Sequence, residues 1–173
     1  MRYWSLLVPA ECYERERLFA ADRLDLPVPG ATAGDTVVLV ADLATPVIFG
    51  WGRVTGTGAV LYERRLLDAP LVAARLLGAG PAPGELAPGE LAPAGFDRIR
   101  AAVGSPPRRR AWLVSVDLPV EAGTPGEAVR QFWSYLNDLG PRELPAFVTP
   151  LGDELAMQAY VLGEQTNLDP EEE

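Results

Sequence analysis

The run "GAGPAPGELAPGELAPAG" at residues 78–95 constrains this chain more than any other segment. Gly and Pro recur in it too densely for a helix or an inner strand, so a loop or linker is expected. Within it GELAP stands twice in tandem, at 84–88 and 89–93, as a duplication in a tolerant segment would leave it. The run divides 173 residues into a part at 1–77 and a part at 96–168, followed by an acidic tail at 169–173. That length permits one ordinary domain or two small ones.

Patterning on either side predicts an α+β chain. "RYWSLLV" reads as a strand stopped by Pro9, and "AECYERERLFAADRL" as a short helix with Cys12, Leu18 and Phe19 as its apolar face. "DTVVLVA", "VIFGWGRV" and "AVLYERRLL" follow as three closely spaced strands, which suggests a small barrel or curled sheet. After the Gly/Pro run, Phe96, Ile99 and Val103 fall at helical spacing. The remainder reads β-α-β-β, packed on the barrel. Its helix is the most strongly signalled in the chain: Thr124 as cap, Pro125 at the first position, Glu127 completing a capping box and Gly140 as stop. Val129, Phe132, Trp133, Leu136 and Leu139 form its apolar stripe.

Composition narrows the chemistry. The chain has no His, and all 15 of its basic residues are Arg. Ser-His-Asp and Cys-His nucleophilic systems, P-loops and Schiff bases are therefore excluded. One cysteine, Cys12, makes no internal disulfide and with no His leaves almost no structural zinc site. Carboxylates, hydroxyls and Arg are the side chains left for chemistry, which permits a two-carboxylate hydrolase or a Mg²⁺ site, but a non-catalytic protein with no cofactor and no metal is expected. No apolar run is long enough for a membrane span, and a cytoplasmic location is the default. Net charge is −9, distributed as −3 over residues 1–93, +4 over 94–112 and −10 over 113–173. An acidic chain does not hold long nucleic acid through phosphate neutralisation, but the basic strip can meet one nucleotide or a short strand.

The residues "RYW", the helix after Pro9, Gly34 and Asp35 opening "TVVLV", and "PVIFGWGRV" occur in an order that resembles PUA-like domains of the EVE type over about residues 1–66. The resemblance implies a curled β-barrel holding a flipped or single modified base in an aromatic pocket. The chain departs from the pattern at Leu7 and Val8, where such domains carry polar residues, and again at Val40 and Ala41.

The candidate ligand site comprises Trp51, Trp4, Tyr3, Phe49 and Arg53. Strand alternation places Phe49 and Trp51 on one face, with Arg53 following, and turns Tyr3 and Trp4 to opposite faces. Glycines on both sides of Trp51 let a ligand or another backbone approach, and base stacking there is worth about 1–3 kcal/mol per base. Burial of Trp51 in the core is the competing reading. Arg108, Arg109 and Arg110, near Arg98 and Arg100, form the only basic cluster: a phosphate patch, or a solvated loop facing acidic neighbours. Three functions remain open from the residues: recognition of a modified base, nucleotide or short single strand; a protein-interaction module that has lost the pocket; and, last because no motif supports it, a carboxylate-metal hydrolase.

Overall fold

The computed structural model describes residues 1–77, 89–106, 108–162 and 164–166. The chain is α+β and forms two compact units, Met1–Pro106 and Pro107–Glu173. The boundary falls after the Gly/Pro-rich run, because the second GELAP copy belongs to the first unit.

In the first unit, β1 (Tyr3–Pro9) leads into α1 (Ala10–Leu18), then β2 (Arg23–Leu24), β3 (Thr36–Asp42), β4 (Val47–Val54) and β5 (Val60–Arg65). β6 (Leu71–Val72), α2 (Ala74–Leu77), β7 (Gly89–Leu91) and α3 (Pro93–Val103) follow. The sheet order is β2-β5-β4-β3-β1-β7, with β6 paired to β4. β1 and β3 run parallel in the register Trp4↔Val37, and β3, β4 and β5 run antiparallel. The sheet is open among the described residues: its edges, β2 and β7, do not pair with each other.

Alternation along the central strands creates two cores, one on each face. Leu6, Val8, Val37, Leu39, Phe49 and Val60 bury one face with Tyr13 of α1. Val38, Val40 and Ile48 bury the other with Phe96 and Ile99 of α3. The charged helix α1 turns Tyr13 and Glu16 inward; Phe19, expected on its apolar face, lies just beyond the helix and is exposed. Residues 89–91 of the expected linker form the edge strand β7 on β1, where Gly89 N–H donates to Ser5 Oγ at 3.3 Å. Pro93 then opens α3, a position where a missing N–H costs nothing. Residues 78–88 lie outside the described residues.

The second unit contains β8 (Trp112–Ser115), α4 (Pro125–Leu139), β9 (Ala146–Pro150), β10 (Gln158–Val161) and β11 (Glu164–Thr166). The expected β-α-β-β order is present with one further strand, in an antiparallel sheet ordered β11-β10-β9-β8. Thr124 Oγ1 accepts from the Glu127 N–H at 3.2 Å, and Glu127 Oε2 accepts from the Gly123 N–H at 3.0 Å. Gly140 ends the helix at φ 62°. The expected tail, residues 169–173, lies outside the described residues. Among the described residues no helix is long and apolar enough to cross a membrane.

Candidate functional site

The pairing of β4 decides what its aromatic residues can do. Leu39 pairs with Gly50 and Val40 with Ile48, so Phe49 is an extra residue in a β-bulge. The bulge breaks the alternation. Phe49 turns into the α1-side core and is fully buried, whereas Trp51 turns to the α3 side. The expectation that both share a face is therefore corrected: one inserted residue reverses the parity between them.

Trp51 meets the Phe96 ring edge-on, at 5.8 Å between centroids and 88° between planes. Tyr3 stacks on Phe96 at 4.8 Å and 25°. A side chain of the same chain thus occupies the stacking position between Tyr3 and Trp51. The glycines beside Trp51 serve strand packing. A Cβ on Gly50 would stand 2.6 Å from the Arg64 carbonyl oxygen, and one on Gly52 would run into that of Leu61. The close approach they permit is that of β5's backbone.

Trp4 faces the opposite core, as its alternation with Tyr3 requires. Its indole N–H donates to Asp35 Oδ2 at 3.1 Å, the Arg2 guanidinium lies 5.2 Å from its ring centroid, and a Cβ on Gly30 would come within 2.9 Å of its Cη2. Asp35 is the polar centre of this corner. It also accepts from the Arg2 N–H (2.9 Å), the Thr32 N–H (3.0 Å) and the Thr32 hydroxyl (3.1 Å), and pairs with the Arg2 guanidinium at 3.3 Å. Donation from the Thr32 and Arg2 backbones, then from the Trp4 and Thr32 side chains, holds its carboxyl well below the usual carboxylate range against the opposing effect of desolvation. These bonds tie the start of β1 to the turn before β3.

Arg53 is exposed and engaged: its Nε and Nη2 lie 2.9 and 2.8 Å from Glu63 Oε1. Arg108, Arg109 and Arg110 are exposed at the start of the second unit, apart in sequence from the aromatic residues of the first. A half-buried pair, Tyr62 and Glu16, is not singled out by the sequence. Tyr62 hydroxyl donates to Glu16 Oε2 at 2.9 Å, with Glu16 only 3% exposed. Burial, then the bond to Glu16 and its charge, push the Tyr62 phenol far above its ordinary value, so it remains a neutral donor. Its only sequence signal was a Glu inside a charged helix, with no periodicity to single it out.

Among the described residues no group of three His, Cys, Asp or Glu side chains is placed to hold a metal ion. One groove of the first unit is lined by Arg23, Asp25, Leu26, Pro27, Thr57 and Ala59, and a second runs along α4 past Glu127, Arg130, Gln131 and Tyr135. None of the sequence-predicted aromatic residues lines either groove.

The second unit differs in what it leaves uncovered. Trp112, Leu113 and Val114 of β8 are 51%, 57% and 61% exposed. On α4, Val129 and Trp133 of the apolar stripe are 56% and 65% exposed. Among its described residues only Leu144 and Thr149 are buried. Comparison of the chain with protein-family models, with curated proteins and with solved structures finds no match.

Proposed function

We propose that the chain is a non-catalytic protein-interaction module, in which the first unit is a scaffold and the second carries the docking surface. The observation that carries this reading is the exposure of Trp112, Leu113 and Val114 together with Trp133. Exposed large apolar residues that are not scattered singly mark an interaction site, three of these are consecutive on one edge strand, and Trp is among the residue types most enriched at binding hot spots. The absence of His and Lys supports the non-catalytic part. Acrylamide quenching of single-Trp variants of the dilute chain tests the reading. Trp112 and Trp133 are expected to quench strongly and Trp4 weakly. Equal shielding of all three means that the surface is covered within the chain, and the reading falls.

A second reading is stacking of a modified base or short single strand on Trp51, as the resemblance to PUA-like domains implies. It is favoured by the partial exposure of Trp51 and by Arg53 two residues on along the same strand. It requires a ligand to displace Phe96 from Trp51 and Glu63 from Arg53. Tryptophan fluorescence titration with base-modified nucleosides tests it. Saturable quenching lost in Trp51→Ala and kept in Trp133→Ala supports it, and none at millimolar ligand refutes it for those ligands.

A further inference from the structure

We infer that the docking partner of β8 is the β8 strand of a second copy of this chain, paired antiparallel across a two-fold axis at Leu113. The inference rests on the interaction reading above and names the partner of that surface.

β8 is an edge strand, with β9 on one side and nothing paired on the other among the described residues. Edge strands are ordinarily protected by charge, proline or a bulge. The sequence Trp112-Leu113-Val114-Ser115 has no charge and no proline, and its pairing with β9 has no register shift. The free edge is also correctly presented. Leu151 N–H donates to the Ala111 carbonyl at 3.1 Å, and Leu113 pairs with Thr149. Backbone groups alternate sides along a strand, so odd-numbered residues direct theirs to β9 while Trp112 and Val114 direct theirs outward.

Charge selects the partner and its direction. The strand is flanked by Arg108, Arg109 and Arg110 before it and by Asp117 and Glu121 after it, all exposed and none in an ion pair among the described residues. Antiparallel self-pairing reverses one copy, so the basic flank of each meets the acidic flank of the other. Parallel pairing would set the arginines against themselves. With Leu113 on the axis, Trp112 lies opposite Val114 of the second copy and exchanges the outward backbone bonds with it. Continued at this register, the pairing sets Arg109, three residues before β8, opposite Asp117 of the second copy, two residues after it. A two-fold contact needs only one self-complementary patch, and this strand with its flanks is one. Two four-stranded sheets become one continuous sheet.

Sedimentation equilibrium of the intact chain tests this. A mass of twice 18.6 kDa is expected, reverting to 18.6 kDa on dilution. Val114→Pro removes an outward N–H while leaving the β9 ladder whole, so it is expected to be monomeric with an unchanged far-UV spectrum. Asp117→Arg sets arginines against Arg109 twice per dimer and is expected to weaken association at least about tenfold. The double variant Arg109→Asp/Asp117→Arg is expected to restore it. A dimer that survives Val114→Pro, or a charge swap that fails to restore association, overturns the inference; should Val114→Pro not fold, the charge swap decides alone. A monomer at all concentrations also overturns it. If Trp112 of that monomer quenches freely, the docking reading stands without self-pairing; if it is shielded, both fall.

Discussion

Asp35 and Gly52 show how much of the scaffold depends on single residues. Asp35 collects donors from Arg2, Trp4 and Thr32, all of which favour its ionised form. A carboxyl whose folded pKa lies below its ordinary 3.8 contributes stability that is complete above about pH 4 and lost as pH falls further. Asp35→Asn is therefore expected to lower the thermal midpoint at pH 7 and to flatten the acid limb of the stability curve, read by thermal unfolding from pH 7 to pH 3. Gly52 is buried and faces the Leu61 carbonyl across the sheet. Gly52→Ala is expected to cost about 1–3 kcal/mol or more by strand displacement. Gly56→Ala, with nothing within 4 Å of its added Cβ, is the near-neutral control in the same denaturant titration. Trp51, by contrast, was ambiguous in the sequence because a core Trp and a pocket Trp use the same neighbours; only the partner of the flanking glycines separates the two.

Elements acquire their faces from pairing, which accounts for what the sequence does and does not disclose. β1, β3, β4, β5, α3 and α4 were legible because propensity and periodicity agree over six or more residues, whereas α1 was legible as a helix but not by its face, since Tyr13 and Glu16 turn inward with no apolar period. The two- and three-residue strands β2, β6, β7 and β11 exist only through their neighbours. The bulge at Phe49 belongs to the register with Leu39 and Val40, so alternation alone misplaced Trp51. The second GELAP copy has the composition of a linker, yet three of its residues close an edge of β1 and its Pro93 opens α3. Two element-scale changes follow. Phe96 is 6% exposed and joins Tyr3 and Trp51 to α3, so Phe96→Ala is expected to destabilise the first unit by about 3–5 kcal/mol in chemical denaturation. Thr124→Ala removes the α4 cap and is expected to cost the second unit about 1 kcal/mol, with reduced helical ellipticity at 222 nm.

At the scale of the whole molecule, the two units invest their apolar residues differently. The first packs both faces of its sheet, with α1 and α3 covering opposite sides. The second leaves Trp112, Leu113, Val114, Val129 and Trp133 to solvent. The charge division foreseen in the sequence lies around β8, basic before the strand and acidic after it. Its significance was hidden there because the sequence does not reveal that this strand is an edge. Hydrogen exchange followed by mass spectrometry, on the intact chain at low and high concentration, tests the central claim most directly. Amides of the segment 110–116 are expected to gain protection as concentration rises, while those of β3 and β4 stay unchanged. Protection of 110–116 that is independent of concentration, whether high or low, would contradict docking of the β8 edge on a second copy.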